Sequence, residues 1–537
     1  MVLYFCASEN NRDMKRREFI YLAGALPLAA RVFGFSTAIH SKIVYPGKDG
    51  KLVYVPDENG NVIPDFSNCG YMGGGVKLPT VPVRATVEVG EGDSHARIQQ
   101  AIDKVSAMTP DKDGFRGAVL IKKGIYSIGA PLEIKTSGVV LRGEGDDANG
   151  TVLVATLRKQ HALIEIKGRS FGKTKGAAFR VADNYVPVGA HTFKLESAKG
   201  LSVGDHVIVR RIGNKEWIHE IAMDRITPRA SDPSGTKQWE PFNMDFDRFV
   251  TAINGDKVTI DAPIVCAIER KWGGGEVFAV DSGERINQIG IENLRGDSEF
   301  DPKIQLDHDD KKSKYAADEQ HGWDFINIDF AENVWVCDIT AAHFGYSAVN
   351  IGHAKWVTVQ DSKCLDMVSE ITGSRRYSFN IDGQMCLVQR CEVATGRHSF
   401  VVGGHVCGPN VFLNCKATNQ FATSEPHHRW STGGLYDNVS ADIAIQDRQW
   451  MGSGHGWAGA NYVAWNCEGR LVCQKPPTAQ NWAIGQIGEK QAGAFAPRPD
   501  GYWESPGRHV EPQSLYLQQL KDRLGGAAVK NIGSSHS

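Results

Sequence analysis

Three stretches of the chain repeat a pattern of groups able to move protons. Tyr346-Ser347 leads to Gly352-His353, Tyr377-Ser378 to Gly383-Gln384, and His398-Ser399 to Gly404-His405, with the outer landmarks seven positions apart each time. Histidine and tyrosine are suited to general acid–base work when they converge on one face. Arg376 and Arg397 directly precede the second and third landmarks, whereas Gly345 holds that place in the first. Guanidinium groups stacked on neighbouring strands repel each other unless an anion lies between them. The pair therefore points to a bound carboxylate, with pairing to Asp382, Glu392 or Glu370 as the purely structural alternative. Downstream, SEPHHRWSTGG gathers Glu425, His427, His428, Arg429 and Trp430, and GSGHGWAGAN adds His455 and Trp457 behind Asp447-Arg448. A lone histidine is usually structural, but histidines at 398, 405, 427, 428 and 455 beside arginine and tryptophan read as a functional cleft. Trp430 and Trp457 could stack on a ligand ring or serve packing.

For these groups to share a face, the chain must return to one place at regular intervals. A strand ending in Asp, Asn or Arg recurs at Asp338, Asp361, Arg390, Asn414, Asp437 and Asn466, with spacings of 23, 29, 24, 23 and 29 residues. That is about one coil of a three-sided solenoid with loops of varying length. Cys391, Cys415 and Cys467 follow this position directly, with Ser362 equivalent, so a ladder of small inward side chains explains them as buried thiols rather than bridges. Coils stack at about 4.8 Å, and equal register puts Tyr346, Tyr377 and His398 in one ladder and His353, Gln384 and His405 in another.

The fold class expected is all-β: a right-handed parallel β-helix with an N-terminal capping helix and a small inserted β domain. An extension occupies 39–84. The first coils occupy 85–184, with Ile98, Ala101, Ile102 and Val105 forming the inner face of the helix that covers the solenoid end. The insert spans 185–270, punctuated by hairpin turns at Gly204-Asp205 and Asn254-Gly255. It is expected either to wall the cleft or merely to pack. The main coils with the cleft span 271–476, and a C-terminal extension (477–537) contains the helical SLYLQQLKDRL, which caps or flanks the solenoid.

With 537 residues, 41% hydrophobic and 23% charged, there is ample core material. Sixty Lys+Arg against 62 Asp+Glu gives no global field for nucleic acid or an anionic membrane. Residues 1–38 contain Lys15-Arg16-Arg17-Glu18-Phe19-Ile20 and a short apolar run to Ala30, which resembles a twin-arginine export signal. Met14 stands immediately before it, so the first thirteen residues need not be native. The resemblance implies passage through the twin-arginine machinery to the periplasm or beyond, with no membrane insertion. Nothing in the sequence sets an oligomeric state.

The segment AVLIKKGIYSIGAPLEIKTSGVVLRGEG after its capping helix resembles the opening coils of the pectate-lyase-like and polygalacturonase-like β-helix superfamily. Gly454-His455-Gly456 resembles a short polygalacturonase motif, but the paired aspartates and Arg-x-Lys that accompany it there are not evident. The resemblance implies a carbohydrate-active enzyme, first a polysaccharide lyase cleaving a uronic-acid-containing glycan by β-elimination. Such chemistry needs a cation on the uronate, a base for the C5 proton and an acid for the leaving oxygen. Arg397, with Arg376 or Arg429, is expected to neutralise the carboxylate, His398 to be the base, and His428 or Tyr377 the acid. Gln384, His405, Glu425, His427, His455 and Trp457 are expected to hold sugars. A glycoside hydrolase using Glu370, Asp382, Glu425 or Asp447 is one alternative, and a non-catalytic glycan-binding solenoid is the other. No metal ligand set is expected; the run Asp307-His308-Asp309-Asp310 reads as a solvated charged loop, with calcium as the alternative.

Overall fold

The coil turns on a backbone bend that recurs once per rung. In the computed structural model, which describes residues 39–533 apart from Ser282 and Ala496, Asp338, Asp361, Arg390, Asn414 and Asn466 take φ of +52°, +51°, +52°, +53° and +50°. Asn and Asp tolerate this left-handed region better than other residues with a Cβ. One position of the expected series shifts by a residue. The bend is at Asn438 (φ +53°), while Asp437 ends a strand, Ser431–Asp437, and turns its carboxylate to Ser514 Oγ at 2.7 Å and Tyr516 N at 2.8 Å. With that correction Val439 joins Cys391, Cys415 and Cys467 in the main core, and all ten described cysteines are free and buried. Asn414 is exposed, so Asn414→Gly is expected to leave stability unchanged, and Asn414→Val to cost about 1–2 kcal/mol in denaturant unfolding.

The bends join parallel strands into a right-handed parallel β-helix. Helix α1 (His95–Ser106) buries Ile98, Ile102 and Val105 over its open end. The sheet that matters for the site has seven parallel strands: β1 (Leu132–Ile134), β2 (His161–Lys167), β3 (Gly322–Asp329), β4 (Ser347–Ile351), β5 (Tyr377–Ile381), β6 (His398–Val402) and β7 (Glu425–Pro426). Tyr377 faces His398 in register. Between β4 and β5, however, Val349 pairs with Phe379 and Ile351 with Ile381, because these four apolar side chains must enter the core together. Tyr346 is therefore one residue off the Tyr377 rung, although the two rings still lie 5.1 Å apart. Likewise Gln384 bridges to Lys355 rather than to His353.

Two boundaries also move. The inserted sheet starts with Lys173–Arg180 and closes with Gly275–Asp281, wider than 185–270, because these antiparallel strands carry the chain out of the solenoid and back. Parallel rungs continue beyond 476 through Trp482–Ile484 and Tyr502–Glu504, strands too short to show periodicity in sequence. Helix α2 (Leu515–Leu524) flanks the solenoid together with the N-terminal extension: Tyr516 Oη donates to Cys69 O at 2.8 Å, and Phe66 N donates to Gln519 Oε1 at 2.9 Å. The insert is anchored by a buried ionic cluster in which Asp247 receives His206 Nε2 and Lys355 Nζ, each at 2.7 Å, and meets Arg285 Nη1 at 2.7 Å. No described helix is long and apolar enough to cross a membrane.

Candidate active site

The rungs of β5, β6 and β7 bring Tyr377, His398, Glu425 and His427 together on one side of the solenoid. Tyr377 Oη lies 2.8 Å from His427 Nε2, and His427 Nδ1 lies 2.9 Å from Glu425 Oε1. Arg448 Nη1 donates to Glu425 Oε1 at 2.6 Å and to His427 O at 2.7 Å. Those two bonds use both of its protons, so the proton between His427 and Glu425 belongs to Nδ1. Nε2 is then the acceptor for the tyrosine hydroxyl. Thr423 Oγ1 holds the other carboxylate oxygen at 2.9 Å. The result is a hydroxyl–imidazole–carboxylate relay, the arrangement by which a third group orients a base.

His398 Nδ1 donates to Thr423 O at 2.6 Å, which leaves Nε2 buried without a partner. His428 and His455 extend the imidazole cluster outward, their rings 5.1 Å apart and 5.3 and 4.9 Å from His427. Burial drives every one of these imidazoles toward the neutral form. His398 and His427 are pushed well below the usual range, His428 falls to about 4 through burial and then Arg429, and His455 to about 2 through burial and then Arg448. Burial raises Tyr377, opposed by Arg397, whose guanidinium lies 5.8 Å from the tyrosine ring centre. Arg397 Nη1 has no partner among the described residues. Arg429, half-buried nearby, donates to Ser453 Oγ at 3.0 Å.

His398, Glu425 and His427 offer donor atoms within 4.8 Å of one another, a grouping that could in principle hold a metal. Arg448 Nη1, 2.6 Å from Glu425 Oε1 and 2.8 Å from His427 Nδ1, already stands where a cation would. The Asp307–Asp310 run lies at the exposed turn of a hairpin, where Asp310 accepts from Lys312 N at 2.9 Å.

Several sequence expectations change here. Arg376 is 2% exposed and spends its guanidinium on Ser369 O and Thr395 O, closing a loop rather than receiving a ligand. Glu425, at 1% exposure, positions His427 instead of touching sugar, and His427 itself is buried within the relay. His398, also at 1%, is sealed behind Tyr377 and His427 and cannot reach a polymer. Trp457 and Trp430 are buried in the core of the inserted domain, Trp430 edge-on to Trp217 at 5.1 Å. Their apolar bodies are thereby withdrawn from any sugar. Gln384 clamps the insert, accepting from Asp247 N at 3.1 Å and donating to Asp245 O at 2.9 Å, yet with His353 and His405 it still lines one cavity. Arg448 and Thr423, which hold the relay, escaped sequence reasoning because their partners are fixed only by coil stacking.

No protein-family model matches the chain, and no curated protein matches it. Solved structures similar to it include the tailspike protein gp49 from Pseudomonas phage LKA1, at 14% identity and TM-score 0.41 over 73% of this chain and 56% of that one. The Gp54 tailspike of Acinetobacter baumannii bacteriophage AP22, in complex with capsular saccharide, is similar at 10% identity and TM-score 0.43 over 75% and 57%. The catalytic unit of a GH87 alpha-1,3-glucanase from Streptomyces thermodiastaticus is similar at 11% identity and TM-score 0.33 over 80% and 70%. The chain thus covers less than three fifths of the length of either tailspike. At these identities the likeness is one of fold alone.

Proposed function

We propose that the chain is a carbohydrate-active enzyme of the pectate-lyase-like β-helix kind, a polysaccharide lyase that cleaves a uronic-acid-containing glycan by β-elimination. The observation behind this reading is the Tyr377–His427–Glu425 relay with the Arg397 guanidinium 5.8 Å from the Tyr377 ring centre and Arg429 next to His428 in the chain. Arg397 and Arg429 receive the uronate carboxylate and draw charge from C5. His428, neutral and half-buried at the cleft rim, replaces His398 as the base and takes the C5 proton. The C5–H electrons form the C4=C5 double bond, the C4–O bond breaks, and Tyr377 protonates the departing oxygen. His427, held by Glu425, accepts from the tyrosine hydroxyl before that transfer, and the Arg397 guanidinium beside the ring offsets the phenolate charge after it. Of the carboxylates considered for hydrolysis, Glu425 is bound by Arg448 and Asp447 by Arg498 at 2.8 Å, while Asp382 lines the neighbouring cavity. Export through the twin-arginine route, read from Arg16-Arg17, belongs to the same proposal, because polymeric glycans lie outside the cell.

Incubation with a panel of acidic polysaccharides tests the reading: ultraviolet absorbance from unsaturated uronate ends is expected, and reducing ends without that absorbance would replace the lyase by a hydrolase. The base must be unprotonated, and His428 sits near 4. The acidic limb of kcat/KM is therefore expected near pH 4, rather than near the ~6.5 of an ordinary histidine. A limb at 6.5 would remove His428 from the role.

A further inference from the structure

The elimination leaves unused a second set of ionisable groups, in a cavity of about 620 Å³ between the ends of β3–β6 and the inserted domain. Its volume is that of a small-ligand site. Arg285, Asp329, Gly352, His353 and Asp382 are among the lining. Asp329, Gly352, Asp382 and Gly403 stand one residue past Ile328, Ile351, Ile381 and Val402, which pair in register, and they stack one per rung. Gly352 N donates to Ile328 O at 2.6 Å, Asp382 N to Ile351 O at 2.7 Å and Gly403 N to Ile381 O at 3.0 Å. Two carboxyl groups thus line one cavity two rungs apart, with only a glycine between them. At about 4.8 Å per rung that is about 9.5 Å. Both lean the same way along the solenoid, since a Cβ at Gly352 would stand 2.7 Å from Asp329 Oδ1 and one at Gly403 would run into Asp382 Oδ1. The separation therefore holds at their oxygens. It is the upper end of the roughly 6.5–9.5 Å that leaves room for a water beside a sugar, and far from the ~5–5.5 Å at which a carboxylate attacks directly.

The surroundings also divide the pair by protonation. Asn380 spends both Nδ2 protons, on Asn350 Oδ1 at 2.8 Å and on Asp382 Oδ2 at 2.7 Å. The proton of a neutral Asp382 therefore belongs to Oδ1, over Gly403. The enclosing walls raise that carboxyl above the ordinary range. Burial would raise Asp329 as well, but His353 meets its Oδ1 with N at 3.1 Å and Nδ1 at 3.0 Å and holds it below. Two like groups pushed apart in this way are an acid and a base. The third carboxylate of the lining, Asp245, is spent on Arg210, whose Nε and Nη2 lie at 2.7 and 2.8 Å. Arg285 adds an independent sign of a ligand. It is 8% exposed, rests on the Phe171 ring at 4.3 Å and meets Asp247 at 2.7 Å, yet its Nε and Nη1 make no hydrogen bond among the described residues. Buried donors call for acceptors, and a sugar presents hydroxyl oxygens.

We propose that this cavity is a second reaction centre, in which Asp382 and Asp329 hydrolyse a glycosidic bond by single displacement with inversion. Asp382 Oδ1 gives its proton to the glycosidic oxygen as the C1–O bond breaks and its electrons pass to that oxygen. Asp329 takes a proton from a water above Gly352 while the water oxygen bonds to C1 from the opposite face. The products are the released alcohol and a hemiacetal of inverted configuration, and solvent returns a proton to Asp382 and removes one from Asp329. Nothing in this step depends on Tyr377, Arg397 or the elimination. In the test, the full chain is incubated with a panel of aryl glycosides and of neutral and acidic polysaccharides. Reducing ends, ultraviolet absorbance and the NMR spectrum of the first-formed anomer are followed together. Reducing ends in excess of unsaturated ends, with inverted configuration, are expected on at least one member of the panel. Asp382→Asn and Asp329→Asn should each lower that rate about 10²-fold or more with circular dichroism unchanged. In Asp329→Ala, added azide should restore turnover and yield a glycosyl azide of inverted configuration, a rescue that a merely structural aspartate would not show. Hydrolysis without absorbance supports this centre and sinks the elimination; absorbance without excess reducing ends does the reverse. Retained configuration, or rates in both Asn variants within about threefold of the parent, also overturns the proposal.

Discussion

A Tyr377→Phe variant is expected to fold like the parent and to lose between about 10²- and 10⁴-fold in kcat, the range ascribed to one positioned acid or base. The ring stays in place, packed 4.9 Å from His427 and 5.2 Å from His398. Only the hydroxyl disappears, and with it the 2.8 Å bond to His427 Nε2. Losing one buried hydrogen bond costs about 1 kcal/mol, so the melting temperature should fall by a few degrees at most while the rate collapses. KM should change little, because the proposed mechanism gives the carboxylate contacts to Arg397 and Arg429. Steady-state ultraviolet assays on whichever polymer is cleaved, with circular dichroism as the folding control, measure both quantities. Activity within about threefold of the parent would remove Tyr377 from the chemistry and leave the relay a structural feature.

The second large effect concerns stability. Asp247 is fully buried and faces three cationic or imidazole groups, Lys355, Arg285 and His206. Burial alone would raise its carboxyl pKa, but Lys355 and then Arg285 hold it well below the ordinary carboxylate range. Asp247→Ala leaves Lys355, itself wholly buried, and Arg285 without their counter-ion. Breaking a buried pair from one side costs about 3–5 kcal/mol. Because His206 and Asp247 belong to the insert and Lys355 and Arg285 to the solenoid, the loss should appear first as loosening of the insert. Proteolysis between Lys173 and Asp281 is the expected readout, ahead of global melting. In Asp247→Ala/Lys355→Met the penalty should shrink, since one orphaned charge is gone; an additive or larger loss would show that Lys355 stabilises through packing on Phe249 and Trp356. The sign with pH follows from the lowered pKa. The Asp247 contribution is complete above the unfolded value of about 3.9 and is lost as pH falls through the folded value.

Features set by local chemistry were legible from residue order alone. The left-handed bend is tolerated best by Asn, Asp or Gly, so its recurrence at Asp338, Asp361, Asn414 and Asn466, with Arg390 in the same series, declared a solenoid and its rung length. Small cysteines after the bend declared its inner face. At Asp437-Asn438 two tolerant residues stand together, and residue type cannot choose between them; the core's demand for Val439 does. The gathering of Tyr377, His427 and His428 into one site was visible because three rungs of similar length deliver them.

Long-range neighbours were decided only by stacking. Arg376 and Arg397 look equivalent in sequence, yet one is buried on loop carbonyls and the other is half-buried with its guanidinium beside the Tyr377 ring. Trp430 and Trp457 belong to the insert's core because the insert, which closes at Asp281 far earlier in the chain, folds back over them. Arg448 and Asp329 reach their places across rungs whose loops differ in length, and in a strand a single residue of slip exchanges one face for the other. The β-helix and its polar strip are therefore matters of local residue preference and period. Which of its histidines, arginines and aspartates reach one another is a matter of register, which the core enforces on all rungs at once.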